Sequence, residues 1–525
     1  MIIIFQKKAK RKAVFLLCFL FLLFFNFQAI FKSAVVMDEP NYLENGRKIW
    51  QENYKEIWQG QDWPGRIMRF HPPLTFYTQG FTSAFLTKDT FFEIQLRGAR
   101  LTMSLFLFLF AYSVFFYIKK ITHNEDFALL ALFLFCFNPE IITHGSLATI
   151  DLTLSFFIFL FVINFYFFLR KKNFKTMLPA ALFLGLALLT KYIALFLIPI
   201  IFIVFFLYFI FRKRFFLKPF FYLLTMIFLA VFLVNLGYRF YGSFEKPKVF
   251  SSKIFKQTEK TPFSAFFAVF PKPYLQGCDY QLLESEKRNY PGHFFMGSYY
   301  NNNKGVWHFF LTTFLLKTPI SLLLFIAAAL ILDLKNPRNK LLSLLILFTV
   351  FFYWFYLSFL NNLNIGFRYF LLAYPLFFLY IGFVFSVNQK KLFIRKSFLT
   401  VFYLLCFWYA WGTLKITPYF YAYANELIGG PKNSWKYWAD STLDWGQGNK
   451  IAFSYFEENP QIIVDPKKLI GGKIAVSVNS LNIFHYNDYL WLRKLNKQPI
   501  DNIGYTWLIF NITQKDVEKI KKEFN

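Results

Sequence analysis

Residues 13–31 read AVFLLCFLFLLFFNFQAIF without a single charge, and residues 35–46, VVMDEPNYLENG, follow almost at once. About 20 apolar helical residues cross the roughly 30 Å hydrocarbon layer of a bilayer. The first stretch is therefore a membrane span, and Asp38 and Glu39 sit where it has just surfaced. Working outward, apolar segments recur near 99–118, 127–143, 149–169, 176–190, 193–211, 218–236, 317–333, 341–360, 368–386 and 394–413. With 13–31 they predict about eleven transmembrane helices. The run 176–211 is too long for one helix and is interrupted at Thr190-Lys191. A central lysine facing lipid would cost several kcal/mol, so two helices joined at the membrane surface are expected there.

The composition agrees: 56% of the 525 residues are hydrophobic and 79 are phenylalanine. A soluble protein would interleave charged faces with its apolar runs, and this chain does not. The N-terminal run has basic residues before it, but it is too long for a typical cleaved signal and is expected to be a retained anchor. The net charge of +29 does not imply nucleic acid. Basic residues cluster in short segments between apolar runs: KKAKRK, IKK, RKKNFK, RKRFFLK, KNPRNK and NQKKLFIRK. Placing the first cluster in the cytoplasm puts all the others there too, as the positive-inside rule requires. The expected address is the bacterial inner membrane, with a cytoplasmic N-terminus and an extracytoplasmic C-terminus.

Two units follow. Residues 1–413 form a transmembrane unit with outer loops at 32–98 and 237–316; residues 414–525 form an extracytoplasmic tail. In the tail, KIAVSVNSL and YTWLIFNI read as buried strands, while NKIAFSYFEE and QKDVEKIKKEF read as helices. The fold class expected is thus a polytopic α-helical membrane protein with a small C-terminal α/β domain. The segment VWHFFLTTFLL at 306–316 is expected to lie in the membrane interface before Lys317-Thr318-Pro319 opens a span. Four cysteines define no disulfide framework, and six histidines show no ligand spacing.

On this topology the ionisable residues gather at the outer rim: Asp38, Glu39, His71, Arg97, Arg100, Asp151, Lys191 and Arg368. Such residues are costly at a membrane boundary and usually face a cavity. Acids beside Arg, Lys and His suit transfer from a phosphate-linked donor. One carboxylate takes a proton from an acceptor hydroxyl, and cations stabilise charge on the departing phosphate. A lipid carrier would deliver its head group at this depth.

MDEPNYLENG, HPPLTFY, LATIDLTLSFF and GLALLTKYIALF resemble, in this order, motifs of the C-type glycosyltransferase fold. The branch resembled holds the protein O-mannosyltransferases, the lipid A aminoarabinose transferases and bacterial lipid-carrier-dependent glycosyltransferases. MGSYYNNNKGVWHFFLTTFLLKTPI, NIGFRYFLLAYP and NELIGGPKNSWKYWADSTLDWGQ resemble the bacterial members in particular. The resemblance implies an inverting membrane glycosyltransferase, a hexosyl- or pentosyltransferase taking sugar from a polyprenyl-phosphate donor. The acceptor is a lipid, a protein or a glycan.

It also implies that Asp38-Glu39 holds the catalytic carboxylate. Adjacent helical residues point about 100° apart, so one of them, expected to be Asp38, faces the acceptor. Capping of a helix that begins at Pro40 is the alternative for either acid. His71 is implied to contact the donor phosphate or sugar, Lys191 the carrier phosphate, and Asp151 to be the fold's second acid. Arg100 and Arg368 are candidate further cations, and Asp440 and Asp444 candidate acceptor-side residues. In the aminoarabinose transferases an acid precedes the His71 position and helps bind a metal; here it is Phe70. No cofactor is therefore assigned, and a divalent cation stays open. A transporter or flippase of lipid-linked sugars, or a glycan ligase or polymerase, are the alternative functions.

Overall fold

Inside hydrocarbon a backbone has to satisfy its own hydrogen bonds, which leaves helices as the form for single apolar segments. A computed structural model of the chain describes residues 8–51, 71–85, 91–213, 217–245, 251–287, 292–300, 305–335, 340–392 and 396–524. Among the described residues, eight helices are long and apolar enough to cross a membrane: Lys8–Lys32, Phe92–Thr122, Asp151–Lys171, Tyr192–Phe211, Leu217–Gly237, Leu341–Leu360, Phe367–Asn388 and Ser397–Ile416. Two more apolar segments are bent helix pairs, Glu125–Cys136 with Pro139–Ser146 at 63° and Phe309–Lys317 with Ile320–Lys335 at 111°. Phe174–Leu188 is a shorter apolar helix. All the predicted spans are accounted for.

The span expected at 127–143 differs in being broken. Pro139 lacks the N–H needed to continue a helix, and the Asn138 side chain accepts from Ile141 N at 3.1 Å to start the next one. The segment expected to lie in the interface is helical over Phe309–Lys317, and the chain turns by 111° into Ile320–Lys335. The break at Lys191 is also present: the lysine is extended, between Phe174–Leu188 and a short 3-10 turn at Tyr192–Phe196.

Burial orders the bundle. Asp151–Lys171 and Phe367–Asn388 are each 94% enclosed by protein, whereas Ser397–Ile416 is 17% and Leu217–Gly237 28% enclosed. The first two form the centre, and the others screen them from lipid. One end of the bundle is basic. Arg11 pairs with Asp126 at 2.8 Å, and Lys120 lies over Phe167 and Arg212 over Tyr208. Parts of the basic clusters, residues 52–70 of the first loop and residues 301–304 of the second lie outside the described residues.

At the opposite end the first loop folds back on the bundle. Helix Glu39–Gln51 packs against helix Leu74–Gln79 through two glycines: a Cβ on Gly46 would stand 2.6 Å from the Gly80 Cα. Leu74 N donates to Leu189 O and Thr75 Oγ1 to Thr190 O, both at 3.1 Å, which pins this loop to the break before Lys191.

The tail carries a four-stranded sheet in the order β3-β4-β6-β5. Strands β3 (Ile463–Val464) and β4 (Gly472–Ser477) are parallel; β4 and β6 (Trp507–Ile512) are antiparallel, as are β5 (Asp501–Ile503) and β6. Alternation along β4 and β6 gives the sheet two apolar faces. Ala475 and Ile509 pack on Ala452 and Phe456 of helix Asn449–Glu458. Ile474, Val476, Leu508 and Phe510 pack on Trp491, Val517 and Ile520 on the other side. Phe294, from the hairpin β1 (His293–Phe295) and β2 (Ser298–Tyr300) of the second outer loop, joins that second core.

Between the last span and this sheet, residues 420–447 run over the bundle as short 3-10 turns. Gly46→Ala is expected to cost about 2–3 kcal/mol of stability, because the new methyl meets backbone that cannot swing away. Thermal unfolding in detergent measures it.

Candidate active site

The Asp38-Glu39 pair divides into an inner and an outer carboxylate. Glu39 is fully buried. Its Oε1 accepts from Arg100 Nε and Ala148 N, both at 2.8 Å. Its Oε2 accepts from Arg100 Nη2 at 2.7 Å and Val36 N at 2.9 Å. A carboxylate has about four acceptor positions, and these bonds fill them. Arg100, 2% exposed, is equally committed. Besides Glu39 it donates through Nη1 to Ile30 O and Ser33 O, both at 3.0 Å, and through Nη2 to Ala34 O at 2.7 Å. All five guanidinium N–H groups are in use.

Asp38 points the other way and keeps 30% of its side chain exposed. Its Oδ2 accepts from Arg368 Nη1 at 2.8 Å. The same Arg368 nitrogen lies 3.8 Å from Asp151 Oδ2, and Asp151 Oδ1 accepts from Lys191 Nζ at 2.9 Å. The Lys191 ammonium lies 4.3 Å from the Tyr369 ring centre. An alternating row of charges therefore runs Asp38, Arg368, Asp151, Lys191. It rests on the ends of the two most enclosed helices, because Asp151 opens one and Arg368 lies in the first turn of the other.

His71 borders the row. Its Nε2 lies 3.1 Å from the Tyr42 hydroxyl. Burial first, then the nearby Lys191 charge, lowers its pKa to about 3, so the ring stays neutral. Asp151 Oδ2, Arg368 Nε and His71 Nδ1 are buried and lack hydrogen-bond partners. Buried polar atoms are normally satisfied, so these three, beside one charge row, are free to meet a further polar group. Phe70 lies outside the described residues. Among the described residues no group of three His, Cys, Asp or Glu is placed to hold a metal ion.

Asp444 is not brought into the row. Its Oδ1 accepts from Gly446 N at 3.0 Å inside its own turn, and burial raises its pKa to about 6. Asp440 bonds Ser441 N in the same turn. Arg97 stays outside, paired with Glu93 on an exposed helix face.

Three residues that the sequence reading left aside matter here. Trp445 is 2% exposed and lies under the Arg368 guanidinium, 3.9 Å from ring centre to carbon. Glu140 and Lys317 form a buried pair at 2.8 Å. The lysine also donates to Tyr421 O at 3.0 Å and Thr442 O at 2.6 Å, tying the tail strap to the bundle. The available signal was a lone charge within an apolar stretch, PEII for Glu140 and LLKTPI for Lys317.

Residues 70–238 match the family model for dolichyl-phosphate-mannose-protein mannosyltransferases. Among solved structures, ArnT from Cupriavidus metallidurans bound to undecaprenyl phosphate is 12% identical, with 94% of this chain and 97% of that one covered and a TM-score of 0.47. Its apo state is 12% identical over 95% and 97%, at 0.48. The apo Archaeoglobus fulgidus oligosaccharyltransferase is 13% identical over 82% of this chain and 57% of that one, at 0.51. No curated protein matches. The molecule is an integral membrane protein with the C-type glycosyltransferase fold. Within that class it is glycosyltransferase-like, resembling the mannosyltransferase branch.

Glu39→Gln is expected to destabilise the protein by about 3–5 kcal/mol, since it leaves Arg100 buried without its counter-charge. Asp38→Asn is expected to change stability by less than about 1 kcal/mol, as suits a half-exposed pair. Melting of the two variants in one detergent compares them. The raised pKa of Asp444 means that the folded state holds a proton between about pH 4 and 6 that the unfolded chain has lost. Stability from this group is therefore present at low pH and lost as pH rises through about 6. The melting temperature of wild type relative to Asp444→Asn should fall as pH rises from about 4 to about 6 and level off above that.

Proposed function

We propose that this protein transfers a sugar from a polyprenyl-phosphate donor to an acceptor hydroxyl at the extracytoplasmic face of the bacterial inner membrane, with inversion. The observation that carries the reading is the charge row with its orphaned polar atoms. Lys191, buried, and Arg368, partly buried, are two cations of the kind a phosphate needs. The family model's description names a lipid phosphate sugar donor for the proteins it represents, in accord with that chemistry.

In the proposed reaction Asp38 accepts the proton of the acceptor hydroxyl. The oxygen so activated attacks the anomeric carbon from the face opposite the phosphate. The bond from that carbon to the phosphate oxygen breaks, and polyprenyl phosphate leaves with the electron pair. Lys191 and Arg368 stabilise the growing charge, and neutral His71 offers a hydrogen bond to phosphate or sugar. Asp151 holds both cations in place. Glu39 and Arg100, whose hydrogen-bonding capacity is spent on the protein, belong to the frame. Sugar, acceptor class and any divalent cation are left open by this chemistry. Transport across the bilayer fits less well, because transporters bind near the midplane and these charges sit at span ends.

Cells lacking the protein should lose one hexose or pentose increment from a lipid, protein or glycan, visible by mass spectrometry. Wild type should restore it. Asp38→Asn, present at normal level, should be slower by about 10²–10⁴-fold, the usual worth of a general base. Full restoration by that variant would remove Asp38 from the mechanism.

A further inference from the structure

We propose that Trp445 is a positioning residue for Arg368, so that the C-terminal region completes the catalytic cleft. The functional meaning rests on the reading of Arg368 as a phosphate ligand; the positioning itself does not.

Arg368 meets Asp38 through Nη1, while its Nε has no partner. Two edge contacts to carboxylates leave the planar group free to tilt about the Nη1 end. The Trp445 ring, 3.9 Å from the guanidinium carbon, closes one face and removes that freedom. Guanidinium groups stack on aromatic faces in this way, and an ammonium in the same place would not.

The backbone that carries the ring is itself held from three directions. Met37 N donates to Trp445 O at 3.1 Å and Ala34 N to Gln447 O at 2.9 Å, so the strap is bonded to the segment that carries Asp38. Trp445 N donates to Gln447 Oε1 at 2.7 Å, closing the turn. Lys317 grips the strap at Thr442 O and Tyr421 O, and Ser441 Oγ donates to Ile365 O at 2.6 Å, just ahead of Arg368. The strap therefore contacts the stretches on which both partners of the Asp38–Arg368 pair are mounted. A residue that only filled space would not need its backbone bonded to one partner's loop while its ring covers the other.

The test uses the full-length protein in detergent and needs no known sugar. Phenylglyoxal labels exposed guanidinium groups, and peptide mass spectrometry reads the rate at Arg368. Trp445→Leu should raise that rate several-fold in protein that still melts cooperatively, and Trp445→Phe, which keeps a ring, should stay near wild type. Undecaprenyl phosphate binding, read by native mass spectrometry, should weaken roughly tenfold in Trp445→Leu, the scale of a desolvated cation–π contact. It should not weaken further when Trp445→Leu is added to Arg368→Gln. Equal Arg368 labelling in wild type and folded Trp445→Leu would overturn the proposal, as would identical behaviour of Leu and Phe. Should the leucine variant fail to fold, Trp445→Tyr and Trp445→His supply graded rings, and labelling indifferent to the ring would be equally fatal. Failure of wild type to bind undecaprenyl phosphate would instead overturn the donor reading, with the labelling rates still deciding the role of Trp445.

Discussion

A buried ion pair, Glu39 with Arg100, fixes the geometry on which everything at this end of the bundle depends. Removing two charges from water is costly, and their attraction compensates only when the remaining donors and acceptors are also satisfied. Here they are, by Val36 N and Ala148 N on the acid and by three carbonyls on the guanidinium. The carbonyls end the first span. Ala148 stands three residues before Asp151. One pair therefore sets the distance from the first loop to the start of a central helix. With Glu39 held inward, Asp38 has to point outward, toward Arg368.

The same pair explains what the sequence disclosed and what it withheld. Helix positions were readable because a bilayer demands a set length of apolar residues. Most segments from 13–31 to 394–413 meet that demand alone, 127–143 and 317–333 as parts of bent pairs, and 176–190 as a shorter helix. The strands KIAVSV and WLIFNI were readable from their apolar runs; they became β4 and β6. The depth of Asp38, Asp151, Lys191 and Arg368 was readable too, because a lone charge at a span end has nowhere else to be. Depth is not azimuth, however. Whether Arg100 faces Glu39 or a cavity depends on how helices are arranged around the bundle axis, and hydropathy carries no such information. The same gap hid Glu140 and Lys317, far apart in the chain and 2.8 Å apart in the fold. Trp445 was hidden differently, since a tryptophan-rich stretch near a membrane reads as an interfacial belt.

Enclosure accounts for the site's place in the fold. The helices from Asp151 and from Phe367 are shielded from lipid along nearly their whole length. Only at their ends can a charged residue on them meet charged protein partners from the loops and the tail. The pinned loop beneath His71, the break at Lys191 and the strap at Trp445 all converge there. They come from the first loop, a mid-chain interruption and the tail, and none is a neighbour of another in sequence.

The charge row has a further property. Its two acids and two bases, Asp38, Arg368, Asp151 and Lys191, sum to zero, which makes burial tolerable while the cleft holds no ligand. On the proposed chemistry an arriving phosphate would upset that balance by competing with Asp38 for Arg368, because both bind through the guanidinium edge. Asp151 cannot be displaced as easily: it is 2% exposed and held by Lys191 at 2.9 Å. Asp38, at 30%, can turn toward the cleft. The donor would then free the base that activates the acceptor, and without a phosphate that base would stay bound to the cation. On that chemistry selectivity against water would follow, since an acceptor would be activated only once a phosphate had taken the arginine.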